Sequence, residues 1–482
     1  MLYQNNTKNR SDIYFLVLLA IIAFILNEYI YYYKNVSFFV NTFILFIGLH
    51  LFILKSHFIF TYLPYIGFLI NTRPREIHLI PIEMRGAFEY YSINIQKLFL
   101  FSFSTTLIIV LCVIMFLKVI LQNEIRVKLW SRFIIVIFIS LIGTLFFAFR
   151  TNTIYLAEAT NSLRYIIFLL GGVLLFQHYK VNDITRDEIE KSIFRVLIIA
   201  VLLSIMYFVK DVVTSDFKLR YVTSSIFFIA SLFYIALNNK VSMVVKLLIP
   251  VVGVIVFFPI TRGEQLNLML CFFIYFLLSF SQVHNKSYKD FFMSKIIVVC
   301  FIMAFIFGAF YIYNYLPETW NMIMMKFEFF TSSDLSHDQS SSVRSSEFSQ
   351  ILSISNFWDF IEILIGKGLY GYYSFEYTFT SFLNESDFSL YEIQNNIFFT
   401  THNFLSFHIL KFGLIGTSII LHFYIFSVRL LSPFCSKLNL FLVLSLPAII
   451  YISYFNPIFS FYYSFLLMVN NDAEKNKRVF QS

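Results

Sequence analysis

The chain has 482 residues, 59% of them hydrophobic and 13% charged, with a formal net charge of +8. A soluble protein carries about 25% charged residues, so the composition excludes water as the main solvent and requires lipid. The 64 phenylalanines and 31 tyrosines are what an AT-rich coding sequence would favour, and little functional weight rests on them.

The first twelve residues are polar and include Lys8 and Arg10. An apolar run from Ile13 to Tyr33 follows. It is longer than a signal-peptide core and has no small-residue cleavage pattern, so it predicts a retained first membrane helix. A helix needs about 20 mostly apolar residues to cross a bilayer. Runs near that length recur at Ser37–Leu54, Phe58–Ile70, Leu98–Leu121, Leu129–Phe149, Leu163–Gln177, Phe194–Val209, Tyr221–Leu237, Val241–Ile260, Leu266–Phe280, Ile296–Tyr315, Phe404–Val428, Leu438–Phe455 and Ile458–Met468. The third and last of these fourteen candidates are short, which sets the expected number at 11–14. The fold class is therefore an all-α polytopic membrane protein. Of the four cysteines, Cys112, Cys271 and Cys300 sit inside apolar runs and Cys435 lies outside the loop described next, with no metal-ligand spacing among them.

Lysines and arginines at the helix ends set the orientation. With the N-terminus inside, the inner segments carry Lys8/Arg10, Arg126/Lys128/Arg132, Lys180/Arg186/Lys191/Arg195, Lys286/Lys289/Lys295, Arg429/Lys437 and Lys475/Lys477/Arg478. One segment opposes this pattern: Thr72–Lys97, with Arg73, Arg75, Arg85 and Lys97, falls outside.

Between Leu316 and Asn403 the chain leaves the apolar pattern. This segment holds eleven acids against three bases, Lys326, Arg344 and Lys367, for a net charge of −8. The cytoplasmic leaflet is negative, so an acidic loop of this size is expected on the outer side. Within it, Ser342–Ile365 spaces Val343, Phe348, Ile351, Leu352, Trp358, Ile361 and Leu364 as one helical stripe, which predicts a helix on the membrane surface. The chain thus divides into a transmembrane bundle (1–315), the loop (316–403) and C-terminal helices with a short tail (404–482).

Three basic residues invite a chemical reading: Arg262 in Pro259-Ile-Thr-Arg-Gly-Glu264, Arg344 in the loop, and His402 where the loop re-enters the membrane in Thr400-Thr-His-Asn-Phe404. Ionisable groups at membrane depth are costly, and so are paired or functional. Each also has a plain alternative. Arg262 can snorkel or pair with Glu264. Arg344 can form an ordinary exposed pair with Glu347, three residues on, worth about 0.3–0.5 kcal/mol. His402 can be an interfacial histidine bonded to backbone. Lys411 lies well inside its span with His408 three residues before it, and it either lines a cavity or pairs within the bundle. The loop acids lack calcium-loop spacing, and His337 and Asp338 sit in a serine-rich stretch that reads as solvated loop.

The ordered set resembles the O-antigen ligase and O-antigen polymerase superfamily. His402-Asn403 is followed by nine residues, then Gly413, two residues and Gly416, similar to the family's re-entry motif. Thr261-Arg262-Gly263 resembles the element that opens a late helix. Arg344 resembles the loop arginine ahead of an amphipathic helix, and Gly366-Lys-Gly368-Leu-Tyr-Gly371 resembles the glycine-rich stretch before the histidine. Arg220 resembles an earlier arginine, although Tyr221-Val-Thr-Ser-Ser lacks the Gly and Asn-Pro-Asn that often follow it. The likeness runs from about Arg220 to Gly416.

The resemblance implies a GT-C-like enzyme of a bacterial inner membrane. Such an enzyme passes a glycan from undecaprenyl diphosphate to an acceptor hydroxyl, inverting the anomeric centre, with no metal and no cofactor. Arg262, Arg344 and Arg220 would hold the leaving diphosphate, where fixed cations lower the barrier and arginine grips with two donors. His402 would be the base that accepts the hydroxyl proton, kept neutral by nearby arginines. Asn403 would orient it, Gly413 and Gly416 would permit close packing behind the site, and Lys411 would support it. The expected partners are the lipid-linked oligosaccharide, the bilayer and a chain-length regulator, with no nucleic acid. Polymerase is preferred over ligase. A repeat-unit flippase is the alternative from another class, and the absence of internal symmetry argues against it.

Overall fold

The computed structural model describes residues 2–70, 91–93, 96–98, 101–121, 127–153, 155–180, 186–214, scattered positions between 273 and 324, then 339–375, 390–399, 401, 404–428, 437–452 and 457–479. Among these residues the protein is helical throughout, apart from two isolated antiparallel bridges, Lys97 with Ser102 and Tyr373 with Phe398. The helices are α1 (Leu2–Glu28), α2 (Lys34–Ile53), α3 (Ile59–Pro64, continuing as a π-helical turn to Leu69), α4 (Phe103–Leu121), α5 (Val127–Thr151), α6 (Leu156–Lys180), α7 (Arg186–Thr214), α8 (Gln339–Leu352), α9 (Phe357–Ile365), α10 (Leu390–Asn395), α11 (Phe404–Ser427), α12 (Lys437–Ile452) and α13 (Pro457–Val479).

Among the described residues, five segments are long and apolar enough to cross a membrane: Tyr14–Tyr32, Lys34–Ile53, Ile134–Thr151, Ser162–Tyr179 and Phe404–Ile425. The protein is an all-α membrane protein. Its hydropathy follows position in the bundle. The segment in α5 has mean hydropathy 2.2 and is 22% buried, whereas that in α6 has 1.2 and is 72% buried. A helix facing lipid must be apolar on its outer side, while one surrounded by protein can carry polar groups. Phe39, Phe43, Leu145 and Phe149 accordingly point outward from α2 and α5, each more than three-fifths exposed.

The third predicted span takes a different form. Residues 59–70 are buried without exception. They run beside α1, from Phe58 against Phe15 (5.3 Å between rings) to Leu69, whose carbonyl accepts from Asn27 Nδ2 at 2.8 Å. Being wrapped by protein, this stretch is spared the length that a lipid-facing span needs. The predicted spans Tyr221–Leu237 and Val241–Ile260, and the basic stretch of Thr72–Lys97 up to residue 90, lie outside the described residues.

Contacts sort the helix ends into two groups. At one end Glu28 pairs with Lys210, Gln96 donates to Lys34 O (3.0 Å), and α5 joins α6 through a short turn. At the other, His57 pairs with Glu188 (3.0 Å) and Lys118 meets His178 (3.4 Å). The loop helices α8 and α9 pack on α11, and α9 also packs on α5, so the loop sits at the first end.

The tightest crossing joins α6 to α13. A Cβ on Gly172 would stand 1.9 Å from Ser464 Oγ and 2.2 Å from Phe461 O. The two backbones touch there only because glycine has no side chain. Gly172→Val is expected to lower stability by at least the 1–3 kcal/mol typical of overpacking, read as an earlier thermal melt in detergent. A melt equal to the wild type would contradict this packing.

Candidate functional site

The site is assembled from the loop upward. Asn356 caps α9: its Oδ1 accepts from the N–H groups of Trp358 (2.9 Å) and Asp359 (3.0 Å), and Asp359 Oδ2 accepts in return from Ser355 and Asn356 N–H. This capping box, a device worth about 1 kcal/mol, explains a correction. The stripe Ser342–Ile365 predicted one helix, and the structure has two, because Ser353-Ile-Ser-Asn356 breaks the first and starts the second. On α9 Trp358 and Phe357 remain exposed, and Trp358 lies 5.5 Å from Phe146 of α5, continuing that helix's apolar outer face.

Gly366 ends α9 at φ 82°, ψ 159°, and meets Gly413, which interrupts α11 at φ 66°, ψ −179°. Both sit in a region essentially reserved for glycine. A Cβ on Gly413 would lie 2.2 Å from Leu364 O and 2.3 Å from Gly366 N. Gly143 of α5 closes on the same point, 2.4 Å from Gly366 O by the same measure. Buried backbone groups must find partners here. Lys367 N–H donates to Leu410 O (2.8 Å), Ser140 Oγ to Lys411 O (3.4 Å), Thr417 Oγ1 to Gly413 O (2.6 Å), and Leu369 N–H to Thr144 Oγ1 (2.9 Å). The Gly366–Gly371 turn is thereby wedged between α5 and α11.

Two lysines hold the turn from inside. Lys411, 1% exposed, donates to Gly371 O at 2.8 Å and approaches Leu369 O at 3.4 Å. Of the two roles open to it in the sequence, pairing within the protein is the one observed. Lys367 donates to Tyr372 O at 3.2 Å, and burial pulls its pKa below the usual lysine value. His408 is fully buried among Tyr165, Phe404, Phe407 and Phe412, with Nδ1–H on Phe404 O at 2.7 Å.

A charged network at the mouth of the junction escapes sequence reasoning. Arg150, in the last turn of α5, bonds Asp359 Oδ1 and Glu362 Oε1, both at 2.8 Å, while Lys367 stands 3.8 Å from Glu362 Oε2. Glu362 is 4% exposed. Asp359, Glu362 and Lys367 line a cleft of about 30 Å³, shared with Gln350, Ser353 and Leu410. The available signal was Asp359 and Glu362 three residues apart on a loop helix, opposite an arginine ending an apolar span. Burial raises the Asp359 pKa, but bonds from Ser355 N–H and the Arg150 guanidinium outweigh it and hold the carboxyl below its ordinary value.

The return path of the loop is fixed by Asn396, at φ 53°. Its side chain copies a strand partner, accepting from Phe375 N–H (3.0 Å) and donating to Phe375 O (2.8 Å), while Tyr373 and Phe398 exchange backbone bonds (3.1 and 2.9 Å). Val343 and Ile351 of α8 share one buried cluster with Tyr373, Phe398, Ile409 and Leu410. The helix that carries Arg344 therefore adjoins the first half of α11. The side chain of Arg344 lies outside the described residues, as do His402, Asn403, Arg262 and Arg220 entirely. The expected exposed pair of Arg344 with Glu347 needs correcting on one side. Glu347 is fully buried and accepts from Tyr373 Oη at 3.0 Å. Gly416 is buried, with Val136 of α5 at 4.0 Å from its would-be Cβ.

No family model, curated protein or solved structure matches the chain.

Two outcomes follow from this geometry. Gly413→Ala is expected to cost more than the roughly 1–3 kcal/mol of a strained backbone alone, and to make the loop more open to protease; wild-type protection would refute the wedge. The stabilisation from Asp359 is complete above its unfolded pKa of about 3.9 and is lost as pH falls through the depressed folded value. A melt series below pH 4 is therefore expected to show a steeper loss for the wild type than for Asp359→Asn, and parallel curves would refute the ion pair.

Proposed function

We propose that the protein is an O-antigen polymerase: a GT-C-like, metal-independent inverting glycosyltransferase of a bacterial inner membrane, with 11–14 membrane helices and the large loop in the periplasm. One observation carries the reading. Helix α8, the Gly366–Gly371 turn and the segment ending at residue 401 all pack on the first half of α11. Of the pieces named by the family resemblance, the helix that carries Arg344, the Gly366–Gly371 turn and Gly413 adjoin one another along α11. The loop's net charge of −8 and the basic helix ends support the periplasmic assignment.

In this mechanism the acceptor hydroxyl of a lipid-linked repeat unit attacks the anomeric carbon of the donor glycan. The bond from that carbon to the diphosphate oxygen breaks, undecaprenyl diphosphate leaves with the electron pair, and His402 takes the hydroxyl proton. Arg262 and Arg344, with Arg220, offset the charge growing on the diphosphate. Burial of Lys411 in backbone contacts gives it a different job, holding the glycine turn against α11.

Deleting the gene is expected to leave lipopolysaccharide capped with a single repeat unit on gels. Core with no repeat beside accumulated lipid-linked polymer would instead indicate a ligase, and normal ladders would refute both. His402→Ala, inserted normally, is expected to reproduce the deletion. Arg344→Lys or Arg262→Lys is expected to cut activity strongly, because a point charge cannot copy the guanidinium fork; wild-type ladders would contradict the diphosphate role.

A further inference from the structure

At the end opposite the loop, three basic groups converge from three helices. Phe52, in the last turn of α2, stacks on the His178 ring with 4.6 Å between centroids. Lys118, in the last turn of α4, brings its ammonium to 3.4 Å from His178 Nδ1. Lys55 follows α2 at φ 52°, its N–H closes onto Phe52 O at 3.0 Å, and its charge lies within electrostatic reach of the imidazole. At the same end the carboxylate of Glu188 is engaged by His57 at 3.0 Å.

Basic residues at helix C-termini complement the helix dipole, and each of the three sits at such an end. Two further features point to a ligand. The three groups lie on adjoining helices, α2 against α4 and α4 against α6. The surfaces leading to them are also strongly apolar and exposed: Ile53 and Leu54 on one side, Phe116, Leu117 and Leu121 on the other, with Leu121 83% exposed. A soluble anion would gain nothing from those flanks. An amphiphile with an anionic head would use both parts.

We propose that Lys55 and Lys118, the latter steadied by His178 Nδ1, form a binding site for the phosphate headgroup of an anionic phospholipid, its acyl chains lying on the exposed faces of α2 and α4. Basic pockets between membrane helices recognise such headgroups, and each lysine near the surface contributes about fivefold in affinity. The site is remote from the loop and stands independently of the glycosyltransferase reading.

The test uses the full chain in neutral detergent, titrated with phosphatidylglycerol, phosphatidylcholine or inorganic phosphate and read by native mass spectrometry. Phosphatidylglycerol is expected to bind in preference to phosphatidylcholine, and inorganic phosphate not to compete. Lys55→Gln with Lys118→Gln is expected to weaken phosphatidylglycerol binding roughly thirtyfold, while Lys55→Arg with Lys118→Arg retains it. Equal binding of the two lipids, or unchanged binding in the glutamine variant, would overturn the site. Effective competition by inorganic phosphate would make it a soluble-anion site and overturn the lipid assignment. Should the glutamine variant fail to fold, the lipid comparison on the wild type still decides.

Discussion

Polar backbone cannot stay unpaired in an apolar interior, and the junction of Gly366 with Gly413 is where this protein meets that constraint most directly. Interrupting α11 leaves carbonyls near the break to be paired from outside the helix. The loop supplies Lys367 N–H, α5 supplies the Ser140 hydroxyl, and Thr417 turns its own hydroxyl back on Gly413. Such contacts require the loop, α5 and α11 to arrive together at glycine distances. The break in the helix and the docking of the loop are one structural event.

The electrostatics build on that event. With the turn wedged in place, α9 lies against the end of α5, and Arg150 can reach both Asp359 and Glu362. The network is nearly electroneutral, two cations facing two carboxylates, which suits a clamp better than an anion site. Lys411 is likewise consumed by the turn's carbonyls. Positive charge left to act on a diphosphate must come from elsewhere, and the proposal assigns that role to Arg262, Arg344 and Arg220.

Legibility in the sequence followed the physics of each feature. The lipid-facing spans were plain, since α1, α2 and α5 must be apolar over a bilayer's thickness whatever they pack against. The position of α11 was predicted within a residue for the same reason. The 59–69 helix, expected as a short span, is a short apolar helix enclosed by protein, and burial in protein and burial in lipid leave the same apolar signature. The single loop helix became two because a capping box of Asn356 and Asp359 outweighed a continuing stripe. The Arg150 network stayed hidden because Arg150 and Glu362 are 212 residues apart, and no local pattern links them. Glycines 366, 368, 371, 413 and 416 were visible as a motif, but which of them touch was not, since a crossing is a property of two segments.

We propose a transferase site where the loop meets α11, with His402 as its base. The most direct test is to supply the purified protein with an undecaprenyl-diphosphate-linked oligosaccharide as the sole glycan and follow release of undecaprenyl diphosphate alongside product length. The account predicts one carrier released per linkage formed by the wild type, with no metal added, and neither event with His402→Ala. Polymer formed by the His402→Ala protein at the wild-type rate would contradict it.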